Sequence, residues 1–158
     1  MLSAQEFTVG SLQDAQPVSL ILPRTEHEEI FLIGWTNNEP MAVVLSGQYR
    51  FHSFKCAGAQ SWRGLIVPNV RVEVDEKSVS DSNSVRSTIG SVIRQDTHLI
   101  LAAHPPHSFR PVEIILENSL SPTAHALQAA FSRWQVVLGE KENKRVLTII
   151  DVAKTVMP

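Results

Sequence analysis

Thiol chemistry is almost absent from this chain. It has one cysteine, Cys56, so it cannot form an intrachain disulfide. Glycine is scarce, at seven residues, and no two glycines fall in a G-x-G or G-x-x-x-x-G-K arrangement. That excludes a doubly wound dinucleotide enzyme and a P-loop enzyme. Neither sign of charge is in excess. Fourteen basic residues against sixteen acidic ones give a net charge of −2, which leaves no electrostatic footprint for duplex DNA. No apolar run approaches the ~18 residues of a membrane helix. The first ten residues, MLSAQEFTVG, lack the basic and apolar regions of a secretory signal. No heptad or internal repeat occurs, and no G-x-S-x-G nucleophile motif. Together these absences predict a cytoplasmic protein, without a membrane partner and with no cofactor implied.

What remains is ordinary globular material. The 158 residues suit one domain, and 43% of them are hydrophobic. A chain of this size buries roughly 68–70% of its unfolded surface, so no metal or disulfide staple is needed to fold it.

The apolar residues come in short runs with period two, which is the signature of strands. PVSLIL at 17–22 sets Val18, Leu20 and Leu22 on one face. EIFLIGW at 29–35 and MAVVL at 41–45 flank the turn formers TNNEP and predict a hairpin. YRFHSFK at 49–55 extends this to a three-stranded meander. GLIVPNVRVEVD at 64–75 is broken by Pro68 and Asn69 and then alternates, with Val70, Val72 and Val74 opposite Arg71, Glu73 and Asp75. The serine-rich stretch 76–88 predicts a surface loop. Leu99, Ile100 and Leu101 in succession lack a polar face and predict a central strand.

One helix is expected, at about 122–133. Ser121-Pro122 makes a capped start, and Ala124, Leu127, Phe131 and Trp134 follow at helical spacing. Residues 134–138 can continue it, but their adjacent valines favour a strand paired with 145–152. The expected fold is therefore a single-domain, mainly antiparallel β-sandwich or β-barrel with one packed helix.

Three function classes follow. The first is a non-catalytic binding or structural module working through a protein partner or by self-association. A homodimer is the default, because edge strands need covering and two-fold dimers are the commonest oligomers. The second is a small-molecule or metal-binding protein, with enzymatic activity an option. HLILAAHPPHSFR at 98–110 carries His98, His104 and His107 around a proline turn, with Glu113 on the returning strand. An extended advance of about 3.1 Å per residue sets His104 and His107 roughly 9 Å apart on one side. Three such ligands and an open position is the plan of a catalytic zinc site, although H-x5-H-x2-H matches no standard metal motif. The third is a single-stranded nucleic-acid binder through Tyr49, Arg50, Phe51, Trp62 and Arg63, where rings would stack on bases and cations would meet phosphates. Cys56 has Lys55 and His52 near it only in sequence and reads as a buried structural thiol.

Overall fold

The computed structural model describes residues 2–24, 29–81, 89–95, 98–105, 111–116 and 128–152. Among these the short apolar runs become fourteen strands. They are β1 (Thr8–Ser11), β2 (Ser19–Leu22), β3 (Phe31–Thr36), β4 (Glu39–Val44), β5 (Ser53–Lys55), β6 (Arg63–Pro68) and β7 (Arg71–Val74). The second half adds β8 (Val79–Asp81), β9 (Val92–Gln95), β10 (His98–Ala103), β11 (Val112–Ile115), β12 (Gln128–Phe131), β13 (Arg133–Leu138) and β14 (Arg145–Asp151).

The strands form two antiparallel sheets. The larger runs β1-β6-β2-β3-β11-β10-β9-β12-β8, with β4 and β5 branching from β3; the smaller runs β14-β13-β7. The larger sheet does not close into a barrel. The expected β3–β4 hairpin is present. Asn37 and Asn38 supply its two left-handed residues, at φ 49° and 64°, as a two-residue hairpin turn requires. The Pro68-Asn69 break is also real. Asn69 turns left-handed at φ 60°, and the chain leaves the large sheet at β6 to enter the small one at β7.

The two sheets face each other across the main core. Leu20, Leu32, Val43, Val67, Leu101 and Ile114 from the large sheet meet Trp134, Val136 and Ile150 from the small one. Each fully buried aliphatic side chain contributes about 1.5–3 kcal/mol. A second cluster covers the opposite face of the large sheet around Ile21, Phe31, Ile33 and Val44, with Leu12 and Cys56. Burial pushes the Cys56 thiol up to about 11. β10 is central as expected. It lies between β9 and β11, and Ile100 through Ala103 are buried on both faces.

Two expectations need correction. The predicted helix, about 122–133, reaches the described residues only at 128, and from there the chain is strand. Its helical spacing of Phe131 and Trp134 has another cause. Ser132 bends the chain between β12 and β13, so both rings are buried on strands of different sheets. The 49–55 meander strand is shortened to β5. Phe51 is left-handed at φ 70° and breaks the alternation before it. Of the expected loop 76–88, residues 79–81 are strand β8 and 82–88 lie outside the described residues.

Candidate metal site at His52 and His104

The chain passes from β4 into β5 through a bulge. The Phe51 N–H donates to the Val44 carbonyl at 2.6 Å, and the Val44 N–H donates back to the His52 carbonyl at 2.9 Å. Two residues thus oppose one, and the first holds the left-handed conformation that glycine usually fills at such a bulge. A non-glycine residue there stores about 1–3 kcal/mol of strain, so surrounding structure must hold it. Phe51 is held by packing. Its ring is only 7% exposed, in the main core. It lies against Gly90, where any Cβ would overlap the ring. The Gly90 carbonyl in turn accepts from Trp134 Nε1 at 2.8 Å. Arg50 stacks over the same ring, 4.5 Å from its centroid, and donates to the Asp151 carbonyl at 2.9 Å.

Because the bulge sends Phe51 inward, His52 faces out. It lands opposite His104, just past the end of β10, in an isolated parallel bridge. The His104 N–H donates to the Phe51 carbonyl, and the Ser53 N–H donates to the His104 carbonyl, both at 2.8 Å. Ser53 Oγ adds a second bond to that carbonyl at 2.6 Å. Register partners on neighbouring strands project to the same side, about 4.7–4.9 Å apart. The two imidazole centroids are 4.9 Å apart with planes tilted by 39°. Tyr49 stands edge-on to His52 at 5.7 Å and is 53% exposed. Burial, then the neighbouring His52, holds His104 below the ordinary imidazole pKa. This favours the neutral form, which is the one that ligates metals.

The expected histidine set is rearranged. His98 and His104 sit at opposite ends of β10, and six extended residues at ~3.3 Å each separate them by roughly 20 Å. One ion cannot bridge that distance. His107 lies outside the described residues. Glu113 is exposed on β11 opposite Ala102. No three of His, Cys, Asp and Glu are grouped to hold one ion among the described residues. The residue that joins His104 is His52, expected on a strand but not beside another histidine. The signal for it was weak: a lone histidine ahead of Ser53, with nothing local to place it next to residue 104.

The expected nucleic-acid set is also dispersed. Phe51 is buried in the main core, and Arg50 is turned onto it. Trp62 belongs to the other face of the large sheet, edge-on to Phe31 at 5.4 Å. There it lines a cleft of about 380 Å³ with Arg63 and Glu29. Another cleft, of about 730 Å³, lies between Glu6 and the β13–β14 turn. Its lining cations Lys144 and Arg145 are already paired, with Glu73 and Glu6.

A family model described as "Uncharacterised protein y4lG" matches residues 9–157. The chain belongs to the y4lG family. A relative in Sinorhizobium fredii (strain NBRC 101917 / NGR234), described as "Uncharacterized protein y4lG", is 48% identical over 147 residues, 93% of this chain and 91% of its own. No solved structure matches the chain. The span matched by the y4lG model runs from β1 to beyond β14, so His52 and His104 both lie within it. No helix among the described residues is long and apolar enough to cross a membrane.

Proposed function

We propose that the protein is a non-catalytic binding module that holds a divalent transition-metal ion between His52 and His104. The spacing of the two rings carries this reading. At an imidazole–metal bond of roughly 2.0–2.1 Å, each ring centroid lies about 3.2 Å from the ion. Two such ligands put their centroids roughly 4.6 Å apart at a 90° angle and about 5.3 Å apart at the tetrahedral angle. The observed 4.9 Å falls between these values. The backbone bridge and the buried Phe51 preorganise the pair, as a binding site on strands requires. Imidazole pairs suit zinc, copper and nickel rather than magnesium or calcium. A cytoplasmic setting is consistent with a sole thiol kept buried in a core.

The test is metal titration of untagged, chelator-stripped protein. Metal at a hundredfold its Kd stabilises the fold by about 2.7 kcal/mol. In a domain of this size that raises Tm by roughly 5–10 °C. Zinc or nickel is expected to raise Tm in the parent and not in His52→Ala or His104→Ala. A parent that takes up no stoichiometric zinc, nickel or copper, with Tm unchanged, overturns the proposal.

A further inference from the structure

We infer that a second copy of the chain completes this metal site, so that His52 and His104 of two protomers together surround one ion on a two-fold axis. The inference rests on the metal reading above and adds to it. A structural zinc site is closed by four protein donors. One chain offers two at this corner, and no third His, Cys, Asp or Glu joins them among the described residues. A two-fold axis through the ion doubles two donors to four.

The surroundings suit such an axis. A group beside a two-fold axis meets its own copy, so it must be self-compatible. Among the described residues the side chains at this corner include Tyr49, His52 and His104, and Ser53 is bound down to the His104 carbonyl. None of these side chains carries a fixed charge. Arg50, two residues before His52, is turned inward onto the Phe51 ring and the Asp151 carbonyl. His52 and His104 are exposed, and so is Tyr49. Tyr49 provides a rigid aromatic surface next to the ion, of the kind enriched at interface centres.

The experiment is zinc titration of the full, untagged chain, followed by light scattering and metal analysis of the same fractions. Chelator-stripped protein is expected to run as a monomer. Zinc is expected to double the mass at one ion per two chains, and EDTA to reverse the change. His52→Ala and His104→Ala, checked for unchanged far-UV circular dichroism, are expected to lose both zinc uptake and mass doubling. His98→Ala and His107→Ala are expected to keep both. One zinc per chain without a mass change overturns the second copy while sparing the metal site. Loss of zinc uptake in His107→Ala places the third donor within the same chain and overturns it too. A dimer indifferent to EDTA does the same. No zinc uptake at all removes the metal reading itself.

Discussion

At one end of β10, His98 pairs in register with Gln95 of β9; at the other, His104 pairs with His52 from the first third of the chain. The residue type is the same and the strand is shared. The first pairing is local: a hairpin partner three residues away fixes it. The second depends on a bulge whose first residue carries the buried Phe51 ring, and on Gly90 from a separate segment. Among the described residues, two imidazoles meet at the end where distant parts of the chain converge. The comparison teaches that the site is a property of the core beneath it. Perturbing that core should damage the His104 end and spare the His98 end.

The largest effect is expected from Phe51→Ala. Removing a buried phenylalanine costs about 3–5 kcal/mol. The alanine still has to adopt the left-handed conformation, so the strain remains while the packing is lost. Urea unfolding should show the loss, and zinc affinity should fall with it. If the variant is destabilised yet binds zinc as the parent does, the ring does not position His52. Gly90→Ala comes next, at about 1–3 kcal/mol, since its methyl would overlap the Phe51 ring from a backbone at φ 95°. Thermal unfolding reads this directly. A smaller effect, about 1 kcal/mol, is expected for Ser53→Ala, which removes one hydrogen bond to the His104 carbonyl. Its zinc affinity should weaken more than its stability does, and equal stability and affinity in parent and variant would show the bond to be idle.

The same contrast explains what the sequence made legible. Features that depend on neighbours in the chain could be read from it. Paired asparagines announced the β3–β4 turn, three consecutive apolar residues announced the central β10, and the alternation of 70–75 announced β7. Trp134–Leu138 paired with 145–151 across the Gly139 turn, as its adjacent valines suggested. Features that depend on distant contacts could not be read. A phenylalanine in a glycine position gives no sequence signal, so 49–55 looked like a continuous strand and His52 looked like one more residue on it. The spacing of Phe131 and Trp134 imitates a helix, because a bend at Ser132 and a turn of helix both bring residues three apart into burial. His104 was named on chemical grounds, but its partner lay in a segment linked to it only by folding.

The smallest effect belongs to the His98 end and sharpens the contrast from that side. Arg94 sits opposite Leu99 on β9, stacks over Phe131 at 4.9 Å and pairs with Glu76 at 2.6 Å. The hydrogen bond from Arg94 holds the Glu76 carboxyl below its ordinary pKa. A carboxylate whose pKa is lower folded than unfolded stabilises the fold above the unfolded value, and that contribution is lost as pH falls through the folded value. Glu76→Gln should therefore be slightly less stable than the parent at pH 7, and the two should converge as pH falls through the lowered folded pKa of Glu76. Both partners are solvent-exposed, so salt should shrink the difference as well. Zinc uptake should be the same in both proteins at neutral pH. If Glu76→Gln instead changes zinc binding, the two ends of β10 are coupled along the strand, and the site does not depend on the core beneath His104 alone.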